Sequence, residues 1–181
     1  MTGHLLLLYG PPASGKSTVT AALESLNHRF RLFPRLKLGE GRRSEYRAAT
    51  REDLERLRAE GDVIWENERY GAVYATDRGH IASMLADGLI PVLHAGQTEA
   101  VDAIAKAFPD VGLTRVSLTC PRPVAAARIA RRATGDTSER LTAYDNTPPL
   151  PSADLVIDTA ITQAENAARR IADVCLREHS A

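Results

Sequence analysis

The chain has 181 residues, 44% of them apolar and 25% charged, which is the length and balance of one globular domain and excludes a multi-domain machine or a globally disordered chain. Lys plus Arg total 23 and Asp plus Glu total 23, so no net field draws the chain to nucleic acid or to an anionic membrane. Only a local cationic cleft is compatible with that neutrality.

In chain order, residues 4–9 form a short apolar run closed by Gly10-Pro11-Pro12, the pattern of a strand buried on both faces in a parallel sheet. The run is far short of the roughly 20 residues that cross a bilayer, and it lacks the basic start and cleavage site of an export signal. A helix is predicted from about residue 16 to 25 and a second strand over 30–33, ending at Pro34. Residues 35–49 are polar, basic and without a sustained period, which predicts a surface excursion or small lobe. Thr50 with Asp53 three residues on approximates a capping box for a helix over 52–60, whose Leu54 and Leu57 share a face. Short strands follow at 63–65 and 72–74 around a polar turn. A helix over 77–85 leads to an apolar strand over 89–94, then a helix over 99–107 to a strand over 113–118. Pro123 opens a helix that runs over 124–132. Residues 133–151, rich in Thr, Asp and Pro, read as a mobile loop or lid. A last strand over 155–157 and an amphipathic helix over 162–176 close the chain. Cys120 and Cys175 show neither zinc spacing nor disulfide density, so they read as small hydrophobes in a reduced, cytoplasmic setting.

Strands alternating with helices predict an α/β fold, a mostly parallel sheet covered on both faces, with one domain over 1–181. In such sheets ligands bind beyond the carboxyl ends of the strands. That is where the segment Gly10-Pro11-Pro12-Ala13-Ser14-Gly15-Lys16-Ser17 falls. It fits the Walker A pattern G-x-x-x-x-G-K-[ST], with an apolar strand before it and a helix-forming run after it. Gly10 and Gly15 permit backbone angles that let consecutive N–H groups converge on phosphate oxygens, and the helix start adds its positive dipole end. Lys16 is predicted to reach the terminal phosphates and Ser17 to hold Mg²⁺, with Thr18 completing the nucleotide-binding run. Only three lysines stand against twenty arginines in the chain, so a lysine at the position the motif needs is not background.

A P-loop specifies a nucleoside triphosphate, not the use made of it. The segment from Lys37 to Tyr46, with Gly39-Glu40 at its centre and Tyr46 six residues after Glu40, resembles the acceptor-binding lobe of the guanylate kinase family of P-loop nucleoside monophosphate kinases. Among that family's relatives is the enzyme that phosphorylates ribose 1,5-bisphosphate. The likeness continues through Ile64-Trp65-Glu66, Gly71, Tyr74 and Thr76, and through Arg128, Arg132 and Arg140 around residues 133–151. The resemblance implies that Tyr46 and Lys37 bind an acceptor's phosphate, that Glu40, Arg42, Tyr74 and Thr76 line the acceptor site, and that Arg128, Arg132 and Arg140 close over the reaction as lid arginines. Such arginines suit phosphoryl transfer, where positioning and charge neutralisation carry the catalysis. The sequence departs from the family at Phe33-Pro34-Arg35 and at His94-Ala95-Gly96-Gln97. His94 ends a strand where ligand residues gather, Trp65 is a candidate to stack on a base or to pack in the core, and Glu66 is a candidate acceptor or water-mediated Mg²⁺ contact.

Three functions remain open at this stage. The first is an ATP- and Mg²⁺-dependent kinase for a phosphorylated acceptor, most simply a nucleoside monophosphate. The second is a kinase acting on a hydroxyl of a sugar, sugar phosphate, nucleoside or antibiotic, with His94 or Glu66 as base. The third is a nucleotide-binding regulatory module without turnover. No nucleic-acid or membrane partner is expected, and the oligomer is a monomer or homodimer.

Overall fold

The computed structural model describes residues 3–39, 45–69, 71–132 and 135–177. Its centre is a five-stranded parallel sheet of β1 (His4–Tyr9), β2 (Phe30–Leu32), β7 (Ile90–Ala95), β8 (Gly112–Thr119) and β9 (Leu155–Asp158), in the order β2-β7-β1-β8-β9. All six residues of β1 are buried, because strand alternation sends its side chains into two separate cores. Leu6 and Leu8 meet Val19 and Leu23 of α1 (Lys16–Leu26) and Ile171 and Cys175 of α7 (Ala164–Arg177) on one face. On the other face, Leu5, Leu7 and Tyr9 meet Ile81 and Met84 of α3 (Arg78–Ala86) and Val101 and Ile104 of α4 (Thr98–Ala107).

The structure changes the reading of two segments. Residues 35–49 are not an unstructured excursion, since they supply β3 (Arg35–Leu38) and β4 (Tyr46–Ala48) to a second sheet with β5 (Val63–Arg69) and β6 (Ala72–Asp77), ordered β4-β3-β6-β5. The missed signal is the alternation in Arg35-Leu36-Lys37-Leu38. Leu36 and Leu38 pack with Val73 and Ala75 against Leu54 and Leu57 of α2 (Arg51–Ala59), and this leaves Arg35 and Lys37 on the opposite face. Helix α2 starts with the predicted capping box, Asp53 N donating to Thr50 Oγ1 at 3.1 Å and Thr50 N to Asp53 Oδ2 at 2.9 Å.

Residues 133–151 also carry structure. After α5 (Arg122–Arg132), helix α6 (Thr137–Asp145) packs Leu141 and Tyr144 onto Ala13, Cys120 and Ile129. Tyr144 donates to Cys120 O at 2.6 Å, Tyr9 donates to Pro148 O at 2.7 Å, and Leu150 is buried. A spacing of three residues between Leu141 and Tyr144 is enough of a stripe to dock so short a helix. Among the described residues no helix is long and apolar enough to cross a membrane.

Candidate active site

Gly10 leaves the carboxyl end of β1 and its N–H donates to Ala95 O of β7 at 3.1 Å. A Cβ at Gly10 would stand 2.3 Å from Leu118 O and 2.7 Å from Ser14 Oγ, so no other residue fits the close approach of loop and sheet. Gly15 takes φ 95° at the start of α1, a left-handed angle that glycine adopts without strain. Lys16 Nζ donates to Gly10 O at 2.6 Å and to Pro11 O at 2.9 Å, with Ser14 Oγ at 3.4 Å. Burial, reinforced by Arg132 and Arg69 and opposed by Cys120 and Glu45, pulls the Lys16 ammonium down to a pKa of about 7.

Ala13 holds φ 63°, an angle that costs a residue with a Cβ of order 1–3 kcal/mol unless its surroundings fix it. Arg128 supplies the fixing, with Nη1 on Ala13 O at 3.0 Å and on Thr159 Oγ1 at 3.0 Å, and Nη2 on Thr159 O at 2.8 Å. Thr159 Oγ1 in turn donates to Ser14 O at 2.9 Å. Helix α5 and the turn after β9 thus brace the cradle. Beside it opens a cleft of about 430 Å³ lined by Gly15, Thr18, Arg131, Arg132, Thr159 and Thr162, within the 300–1,000 Å³ typical of small-molecule sites.

Across from the cradle stands the polar face of the second sheet. Lys37 is 7% exposed, with its ammonium 5.8 Å from the Tyr46 ring centre and 5.7 Å from that of Tyr74. Those two rings are 5.1 Å apart, and the Arg35 guanidinium lies 5.5 Å from Tyr74. Aromatic faces lower the cost of removing these cations from water. Arg35 Nη2 donates to Asn67 Oδ1 at 2.6 Å and to Tyr74 O at 3.1 Å, and burial pulls its pKa down to about 10. Asn67 Nδ2 then donates to Gln97 Oε1 at 2.9 Å, which ties the second sheet to the carboxyl end of β7. Glu45 and Arg69, at the ends of this sheet, act electrostatically on Lys16.

The predicted residues divide accordingly. Residues 10–18 form the cradle, and Lys37, Tyr46, Tyr74 and Thr76 lie on the facing sheet. Glu40 and Arg42 lie outside the described residues. Arg132 is exposed on the rim of the large cleft, and Arg140 Nε is paired with Asp136 Oδ1 at 2.7 Å.

The structure bears on three of these roles. Arg128 braces the loop through its bonds to Ala13 and Thr159 and also lines the large cleft. Glu66 faces away from the site, since strand alternation puts Trp65 and Asn67 on the cleft side and Glu66 forms a bidentate pair with Arg58 at 3.0 and 2.9 Å. Burial, with Lys16 and Arg35 nearby, pulls the His94 pKa down to about 3, which makes its imidazole a weak base at neutral pH. Asn67, Thr20 and Thr159 were not foreseen. Asn67 had a signal, standing two residues after Trp65 on the same strand face, but Thr20 and Thr159 acquire their roles only through contacts of long sequence separation.

Comparison with known proteins places this geometry. The chain spans about half the length of the curated relatives it matches: it is 33% identical over 91 residues to a guanylate kinase of Chelativorans sp. (strain BNC1), covering 48% of this chain and 42% of that protein. It is 32% identical over 114 residues to a guanylate kinase of Symbiobacterium thermophilum, covering 60% and 53%. The fold is that of the guanylate kinase from Anaplasma phagocytophilum, with a TM-score of 0.60 at 20% identity over 98% of this chain and 86% of that one. The structure of APE1195 is similar at a TM-score of 0.59 and 20% identity, over 97% and 96%. These likenesses bear out the resemblance to P-loop nucleoside monophosphate kinases and the α/β fold. A family model, that of the chloramphenicol phosphotransferase-like proteins, matches residues 3–175, and the chain belongs to that family.

Proposed function

We propose that the chain transfers the γ-phosphoryl group of ATP to a phosphorylated small-molecule acceptor, most simply a nucleoside monophosphate. The observation that carries this reading is Lys37, buried against the rings of Tyr46 and Tyr74 with Arg35 beside Tyr74. Two cations and two phenols converging there suit an anionic acceptor.

The residues fit the donor as well. The Gly10 backbone is too tightly packed to carry a side chain, and the N–H groups of Ala13, Gly15, Lys16 and Ser17, which have no backbone partner among the described residues, can meet phosphate oxygens at the start of α1. Lys16, now turned onto its own loop's carbonyls, would exchange them for phosphate oxygens, and Ser17 would hold Mg²⁺. When bound, that ion supplies charge neutralisation and orientation to the donor phosphates. Arg132 and Arg69 add positive charge where the transferred group passes. An acceptor phosphate loses its second proton near pH 6 and needs little help from a base, which agrees with the weak basicity of His94 and the outward turn of Glu66.

A hydroxyl acceptor, such as an antibiotic alcohol, is the second reading, favoured by the description of the family. Glu45, whose carboxylate acts on Lys16, is then the candidate base. Release of ADP from MgATP separates the readings. Stimulation by nucleoside or sugar phosphates supports the first, and stimulation by chloramphenicol or unphosphorylated sugars alone supports the second. Tight binding of MgATP with no acceptor-stimulated turnover leaves the non-enzymatic module.

A further inference from the structure

Between the second sheet and the carboxyl end of β7 lies a partly open recess of about 20 Å³ lined by Phe33, Trp65 and Ile104, with room for about one water-sized group. Four polar side chains also line it: Arg35, Thr76, His94 and Gln97. Two of them present unused hydrogen-bonding capacity. Arg35 Nε is buried and has no partner among the described residues. The second is His94 Nδ1, by a tautomer argument. Thr20 Oγ1 donates to Lys16 O at 3.0 Å and lies 2.8 Å from His94 Nε2. A hydroxyl has one proton, so the two bonds coexist only if His94 Nε2 carries the hydrogen and donates to Thr20. Nδ1 is then a bare lone pair, and the ring stays neutral across ordinary pH.

Arg35 and His94 both line a space that admits one small group, and a donor and a lone pair left over on these two residues call for a group that both gives and accepts a hydrogen bond. We infer that this recess is a subsite for a free hydroxyl of the acceptor, which donates a hydrogen bond to His94 Nδ1 and accepts one from Arg35 Nε–H. This inference rests on the proposed function and narrows it to phosphorylated acceptors that keep an alcohol, such as the ribose of a nucleotide or a sugar phosphate. His94 is thereby a specificity-determining residue, and its other nitrogen links the subsite through Thr20 to the carbonyl of Lys16.

The test uses the full chain with MgATP and matched acceptor pairs: GMP, AMP, UMP and CMP with their 2′-deoxy counterparts, and ribose 5-phosphate with 2-deoxyribose 5-phosphate. For the pair that places its hydroxyl in the recess, kcat/KM is expected to fall on the order of 10- to 100-fold without it, since Arg35 Nε and His94 Nδ1 lose their partner. The KM for ATP should stay in place. Two variants separate the ends of the imidazole. His94→Asn puts a carbonyl oxygen where Nδ1 stood and should keep the hydroxyl preference, whereas His94→Gln keeps an N–H toward Thr20 and should lose it. A preference that survives in His94→Gln, or none in the native chain for any pair that turns over, means that the recess holds only water and overturns the subsite alone. Absence of ADP release with every phosphorylated acceptor overturns the proposed function and the subsite together.

Discussion

The proposed donor and acceptor sides are built from different parts of the polypeptide. On the proposed donor side, the groups offered to a nucleotide are main-chain amides of the loop before α1, held in place by Arg128 and Thr159. On the proposed acceptor side, the groups are tips of side chains, Arg35, Lys37, Tyr46 and Tyr74, carried by three strands of a separate sheet. Amide recognition of phosphate depends on backbone shape, and few sequences achieve that shape. Side-chain recognition changes with each substitution, so acceptor choice can drift while the donor cradle stays fixed.

The contrast can be broken most sharply at Lys16, the one donor-side residue whose tip should contact phosphate. Lys16→Ala is expected to lower kcat on the order of 100- to 1,000-fold, and a rate equal to the native one would remove the lysine from the chemistry. Arg128→Ala should act through the fold instead. Losing its bonds to Ala13 and Thr159 should cost about 2 kcal/mol in urea unfolding and weaken ATP binding, whereas Arg132→Ala should slow turnover with the unfolding midpoint in place. Equal midpoints for the two variants would contradict the division between brace and contact. Tyr46→Phe should raise the acceptor KM about tenfold and spare that of ATP; a matched rise in both would place Tyr46 outside the acceptor side.

Titration sharpens the same boundary. The Lys16 pKa of about 7 leaves most of the group uncharged at pH 8, and triphosphate oxygens favour the ammonium, so the pKa rises on binding. Calorimetry in buffers of different ionisation enthalpy should therefore show uptake of close to one proton per MgATP bound at pH 8 and little at pH 6. The smallest effect belongs to Glu66→Gln. Its pair with Arg58 is 37% and 46% exposed, so stability should change by no more than about 0.5 kcal/mol and the acceptor KM not at all.

The main sheet and the cradle were legible because their signals are local. Four leucines in β1 and the Gly10-to-Ser17 spacing declare themselves within a dozen residues. The second sheet was harder, since β3 and β4 have four and three residues and are strands only by pairing with each other and with β6. The same holds for α6, whose stability comes from docking onto Ala13 and Ile129 and not from its own pattern. Glu66 shows the limit most plainly: its position in the chain was read correctly, but one residue of register decides which side of a strand a carboxylate serves.

The bracing of Ala13 carries a thermodynamic corollary. A loop already locked by Arg128, Thr159 and Cys120 has little freedom left to surrender when nucleotide arrives, so its ordering entropy is settled during folding. Association at this end should resemble a key entering a rigid lock, with amide exchange at Ser14, whose N–H is bonded to Pro11 O, already slow in the ligand-free chain.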